Sequence, residues 1–256
     1  MKIAVVTGAS SGIGREFAYQ LTARESFDEL WVIARRKERL EELKEALPCK
    51  VRVIAMDLTD EEALEAYSAL LEAEKPQVSL LINAGGFGKF GRYDQIPLQD
   101  CMDMIDLNCK ALVAMTQRTL PYIPNGGRIL QVDSLSAFQP VPYLNVYAAT
   151  KAFVLSYSRA LKAELKDRGI QVLAFCPGWV KTEFFNHAYQ TSEDAVTYYN
   201  KVFTAEEVVK DALKALKKGK DVCVPSWQNK LQVLGVKLLP TKLVIKVWMK
   251  QQKHQS

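Results

Sequence analysis

"IAVVTGASSGIG" (residues 3–14) carries an apolar run into three glycines and then into a helix-like stretch, "REFAYQLTA" (15–23). A β-branched apolar run that stops at a glycine reads as a buried strand. Gly8, Gly12 and Gly14 follow it with the spacing G-x-x-x-G-x-G instead of the commoner G-x-G-x-x-G. Glycine is needed where a chain turns tightly from strand to helix, and where backbone must approach a pyrophosphate with no Cβ in the way. The helix behind the turn adds N–H groups and the positive end of its dipole. The stretch reads as the first βα unit of a nucleotide-binding fold, with a tight turn that holds no ligand as the plainer alternative.

Working outward, short apolar runs recur at "LWVIA" (30–34), "VRVIA" (51–55), "SLLIN" (79–83), "RILQV" (128–132), "QVLAF" (171–175) and "VCVP" (222–225). Amphipathic stretches lie between them. Lys37 to Leu47 sets Leu40, Leu43 and Leu47 on one side before Pro48, while Thr59-x-x-Glu62 and Thr204-x-x-Glu207 have the form of capping boxes. Near-continuous apolar strands separated by helices imply a parallel sheet covered on both faces. The expected architecture is a doubly wound α/β (Rossmann) fold of about seven strands. No repeat, low-complexity tract or linker interrupts the chain, so residues 1–225 are expected to form the dinucleotide-binding and catalytic domain and 226–256 a basic amphipathic extension of it.

The chain has 256 residues, 48% of them hydrophobic, enough for a large core. Its opening apolar run is too short for a signal-peptide core or a membrane span. Five scattered cysteines (49, 101, 109, 176, 223) form no C-x-x-C pair and only two histidines accompany them. A reduced, metal-free, cytoplasmic protein is expected. The net charge of +5 is localised: six lysines and no acid lie between Val222 and Ser256, leaving 28 basic and 29 acidic residues elsewhere, net −1. That distribution speaks against a nucleic-acid-binding surface.

Two further positions bear on chemistry. Where the second strand ends, about twenty residues after Gly14, a site for NAD would place a carboxylate on the ribose 2′-hydroxyl. Arg35 and Arg36 stand there instead, and a guanidinium binds a 2′-phosphate, so NADP(H) is expected. Alternatively, both arginines only begin the solvated helix "RRKERLEELKEAL". In "YAATK" (147–151), Tyr147 and Lys151 share a helix face, and an adjacent ammonium favours the phenolate. Such a tyrosine can act as an acid/base group, although an isolated pair at this spacing is commonly just surface.

With these motifs in order, the chain resembles the short-chain dehydrogenases/reductases from residue 1 to about 225. Gly8, Gly12 and Gly14 match the family's TGxxxGxG, Asp57 in "MDLTD" its adenine-binding aspartate, and "INAG" (82–85) its NNAG, with Ile82 in place of the first asparagine. Asn108, Ser134, Tyr147 and Lys151 match the catalytic tetrad, Ser134 lying thirteen residues before Tyr147. "PGWVKT" (177–182) matches the segment whose Val180 backbone and Thr182 hydroxyl hold the nicotinamide carboxamide. The resemblance implies a cofactor site comprising Gly8, Ser10, Ser11, Gly12, Ile13, Gly14, Arg35, Arg36, Asp57, Leu58, Asn83, Ala84, Gly85, Tyr147, Lys151, Pro177, Gly178, Val180 and Thr182. Ser134 then polarises a carbonyl, Tyr147 transfers the proton, Lys151 lowers the phenol's pKa and holds the ribose, and Asn108 anchors a water. A backbone-bonded structural role is the alternative for Asn108, and Ser136 competes with Ser134.

Segments 86–97, 138–146 and 182–203 carry eleven aromatic residues and are expected to wall an apolar cleft, implying a bulky ketone or secondary alcohol such as a 3-oxoacyl or steroid-like molecule. A non-catalytic NADP(H)-sensing regulator on the same fold is the alternative. A homodimer or homotetramer is expected from the resemblance. Beyond the last strand, "QNKLQVLGVKLL" (228–239) and "LVIKVWMK" (243–250) flank Pro240 as a basic amphipathic pair, read either as a peripheral membrane contact or as a segment packed on its own core.

Overall fold

A computed structural model describes residues 1–189, 191–192 and 195–252; of the tail lysines, Lys253 lies outside them. Six strands come first: β1 (Lys2–Thr7), β2 (Glu29–Ala34), β3 (Val51–Ala55), β4 (Gln77–Asn83), β5 (Arg128–Val132) and β6 (Gln171–Phe175). Then come the two-residue strands β7 (Trp179–Val180), β8 (Val202–Phe203) and β9 (Val222–Cys223). β1 to β6 and β9 form one parallel sheet in the order β3-β2-β1-β4-β5-β6-β9, the expected seven strands, and β7 pairs with β8 apart from it.

The helices are α1 (Gly12–Thr22), α2 (Lys37–Ala46), α3 (Glu61–Glu74), α4 (Leu98–Ile105), α5 (Leu112–Thr119), α6 (Asn145–Glu164), α7 (Phe184–Ala188), α8 (Ala205–Lys217), α9 (Trp227–Leu238) and α10 (Thr241–Gln251). They cover both sheet faces, which explains why the central strands are mostly apolar. Ala4, Val6, Leu30 and Val32 pack with Phe17, Leu40 and Val209 on one face, while Ile3, Val5, Trp31 and Ile33 meet Tyr67, Met115 and Leu161 on the other. The chain goes outward from β1 in both directions, to β2 on one side and β4 on the other. The crevice for a ligand opens above their carboxyl ends.

Thr204 forms a full capping box with Glu207 at α8, as expected. Thr59 does not cap α3. Asp60, one residue later, accepts from the Glu62 N–H, and the Thr59 hydroxyl donates instead to Asp57. A carboxylate in extended backbone at the position nearer the helix wins the cap, because it also favours the positive dipole end.

Beyond the sheet, α9 and α10 fold back over the cleft. Trp248 is buried in a third apolar cluster with Phe90, Met104, Leu144 and Tyr147, and Val244 is buried against the cleft. The Trp248 indole donates to the Pro142 carbonyl at 3.1 Å, and Gln252 accepts from the Thr197 and Tyr198 N–H groups.

Candidate active site

At the carboxyl ends of the central strands lies a cavity of about 1010 Å³. Its floor is the first turn. Gly8 takes φ 65°, and a Cβ there would lie 2.7 Å from the Ala84 carbonyl. A Cβ on Gly14 would lie 2.3 Å from the Gly8 oxygen, so only glycine lets α1 pack against the turn. Thr7 ties the β1 turn to the β4 loop by accepting from the Ala84 and Gly85 N–H groups at 3.0 and 3.2 Å. Close packing thus accounts for Gly8 and Gly14, while Gly8, Ser10, Ser11, Gly12, Ile13 and Gly14 also line the cavity.

At the end of β2 the two arginines differ. The Arg35 side chain is 73% exposed and lies 3.7 Å from Asp57. Arg36 donates to the Ser10 hydroxyl at 3.0 Å, the Ser11 hydroxyl at 2.8 Å and the Glu183 carboxylate at 2.7 Å, and Arg39 approaches the same carboxylate at 3.3 Å. Arg35 is largely solvated, as the alternative reading had it, whereas Arg36 is held at the rim of the turn. Burial opposes ionisation of Asp57, but hydrogen bonds from Thr59 and the Arg35 charge outweigh it and hold the carboxyl below its usual range. Leu58, Ala84, Gly85, Pro177, Gly178, Val180 and Thr182 also line the cavity. Asn83 does not: its amide faces into the sheet, donating to Thr116 at 3.0 Å and Gln131 at 2.9 Å. At the end of a buried strand, its neighbours in the layer claim it, and it serves as scaffold.

Ser134, Tyr147 and Lys151 face the cavity together, from the end of β5 and the first turns of α6. Ser134 lies near enough to the phenol to favour its ionised form, and its hydroxyl accepts from the Ser136 N–H at 3.2 Å. The Ser136 hydroxyl has no partner among the described residues. Lys151 is 5% exposed, donates to the Val132 carbonyl at 2.9 Å and lies 5.6 Å from the centre of the Tyr147 ring. The expected lowering of the phenol by Lys151 is not what this arrangement gives. Burial dominates and pushes Tyr147 up against the offsetting effect of Ser134, while burial pulls Lys151 down. The tyrosine is therefore held as a proton donor.

Asn108 sits in a π-helical stretch, Asp106–Ala111, between α4 and α5. Such bulges cluster at functional sites. Its amide grips Phe87, accepting from the N–H at 3.0 Å and donating to the carbonyl at 2.9 Å, and also donates to Thr150 at 3.0 Å. This is the backbone-bonded arrangement that the sequence offered as the alternative to a water anchor.

Sequence reasoning passed over Asp133. It is 2% exposed, one Oδ accepts from the Cys176 thiol at 3.4 Å, and the other has no partner among the described residues. Burial pushes its carboxyl up to about 7, against the pull of the Lys151 charge. An aspartate beside the matched serine was the available signal. Trp179 was missed as well, although it lies within "PGWVKT". It packs against Phe90, Phe185 and Tyr199 and lines the cavity with Phe87, Phe184 and Trp248. Phe184 lies over Tyr147, ring centres 5.4 Å apart. Tyr93, by contrast, is 81% exposed and takes no part in the wall.

Residues 2–193 match the family model described as short chain dehydrogenase. The chain is 33% identical over 221 residues to the NADP-dependent 3-hydroxy acid dehydrogenase YdfG of Escherichia coli, covering 82% of this chain and 87% of that protein. Among solved structures it is similar to a short-chain dehydrogenase from Sphingobium yanoikuyae in complex with NADPH, with a TM-score of 0.79, 27% identity and coverage of 100% and 98%. It is also similar to the bulky-bulky ketone specific alcohol dehydrogenase of Comamonas testosteroni, with a TM-score of 0.74, 26% identity and coverage of 100% and 97%.

Proposed function

The chain belongs to the short chain dehydrogenase family, and on that premise we propose that it interconverts a bulky hydrophobic ketone, 3-oxoacyl or steroid-like, and its secondary alcohol, with Tyr147 as the acid/base group. It is an NADP(H)-dependent oxidoreductase acting on CH–OH groups. The glycine-floored turn and the arginine-lined rim fit the cofactor, with Arg36, steadied by Ser10 and Ser11, as the partner of its 2′-phosphate and Asp57 at the adenine end. When bound, NADPH supplies the hydride.

The chain's own residues do the rest. Ser134 donates to the substrate oxygen as negative charge develops on it. Tyr147, kept protonated by burial, passes its proton to that oxygen in reduction and recovers one in oxidation. Lys151, braced on Val132, would hold the ribose of the cofactor and supplies positive charge near the phenol. Asn108 fixes the Phe87 loop against α6. The observation that carries the substrate assignment is the aromatic wall of Phe87, Trp179, Phe184 and Trp248 around the tetrad, which suits an apolar body far better than a small polar one. A cytoplasmic location, a catalytic unit at 1–225 with its tail as an extension, and assembly as a homodimer or homotetramer belong to the same proposal. The apolar strip Leu98, Met102 and Ile105 along α4 supports the assembly.

Following NADPH oxidation over a series of ketones of increasing bulk tests the reading. Turnover should rise with apolar bulk, and Tyr147→Phe should reduce it by at least about a thousandfold while cofactor fluorescence still reports NADPH binding. A preference for small 3-hydroxy acids over every bulky ketone would defeat the substrate assignment, and near-normal turnover by Tyr147→Phe the mechanism.

A further inference from the structure

The tail hairpin has two faces. Asn229, Val233, Val244 and Trp248 turn inward and are buried. On the outward face of α9, Trp227, Leu231, Leu234 and Leu238 are 66, 56, 52 and 74% exposed. Their spacing of four, three and four residues makes a single stripe along the helix. Leu243 and Val247 on α10 are 43 and 46% exposed. Lys230, Lys237, Lys242, Lys246 and Lys250 are exposed on the same two helices, and the sequence offers them no acid after Asp221. The inward face packs on the core, one of the two alternatives read from the sequence, and the outward face is left apolar, basic and exposed.

We infer that the outward face of α9 and α10 docks the protein onto an anionic lipid surface. The apolar stripe sinks into the headgroup boundary, and the lysines extend their stems along it while their ammonium groups meet lipid phosphates. Charge decides between lipid and a second copy of the chain. A two-fold contact would press this patch against itself, setting two groups of five lysines together with no carboxylate from either hairpin. An anionic bilayer offers the opposite charge. The same hairpin also roofs the cleft, because Leu239 and Val247 line the cavity while remaining 45 and 46% exposed. The cavity rim thus lies at the lipid-facing edge, where an apolar substrate dissolved in the bilayer could enter. Entry from lipid rests on the bulky-ketone reading above; the docking does not.

The test is co-sedimentation of the full chain with vesicles of mixed phosphatidylglycerol and phosphatidylcholine, against phosphatidylcholine alone. Binding should need phosphatidylglycerol and weaken as salt is raised. Leu231→Ser with Leu234→Ser should weaken it roughly tenfold or more. Lys242→Gln, Lys246→Gln and Lys250→Gln together should weaken it on the order of a hundredfold. Both variants change only exposed positions outside the cavity, so NADPH fluorescence and thermal melting should match the parent. If the leucine variant fails to fold, the lysine variant alone decides. The docking is overturned if the parent binds neither vesicle, if it binds both equally, or if the leucine variant dissociates a dimer in sedimentation velocity while vesicle binding is unchanged. Lipid binding without turnover of any bulky ketone would leave the docking standing and remove the substrate reading.

Discussion

Asp133 is buried close to Lys151 of the tetrad, so neither can be charged without consequence for the other. A carboxyl raised from about 3.8 to about 7 keeps its proton in the folded chain over a range where the unfolded chain has lost it. Stability from this group is therefore highest at low pH and falls as pH rises from about 4 to about 7, the reverse of a salt-bridged carboxylate. Asp133→Asn should remove that slope. Calorimetric melting at a series of pH values should show the variant gaining on the parent by up to about 4 kcal/mol above pH 7, with no difference near pH 4. A constant difference at every pH would mean that the carboxyl does not titrate there. The glycine turn and the Tyr147–Lys151 pair of the candidate site were legible from local spacing, while Asp57, Asn108 and Ser134 were named only through the family resemblance. Asp133 was not legible, since its neighbours Cys176 and Lys151 come from other elements and meet it only in the folded layer.

At the scale of elements, the first turn shows how spacing becomes structure. Gly14 lies inside α1 with no room for a methyl group before the Gly8 carbonyl. Gly14→Ala should push α1 off β1, costing about 1–3 kcal/mol in urea unfolding and abolishing NADPH binding. Retained affinity would show that the turn can open without harm. The sheet strands were readable almost to the residue because burial on both faces makes most of them predominantly apolar runs. The two-residue strands β7 and β8 were not, since so short a pairing has no periodicity of its own. Thr59 failed as a cap for a similar reason: the motif was present, but Asp60 stood in better geometry one residue on.

The whole molecule is closed by its own tail. Ending the chain at Ser226 would strip Trp248 from the third cluster and leave Phe90 and Leu144 partly uncovered. The loss of the tryptophan alone is of the order of 3–5 kcal/mol. The truncated protein should therefore melt roughly 10 °C lower and tend to aggregate, measured by calorimetry with light scattering. An unchanged melting temperature would mean that the tail contributes no core.

The strand order has a consequence for synthesis. β1, which precedes the other strands in the chain, is central, and its second neighbour β4 ends about fifty residues after β2 does. At roughly 5–20 residues per second the nascent chain shows the bare side of β1 for several seconds. That side is "KIAVVT", a β-branched, nearly uncharged edge of the kind that seeds intermolecular pairing. The growing chain is most vulnerable in that interval, so slow translation between β2 and β4, or want of a holding chaperone, should cost more soluble protein than the same delay after β4.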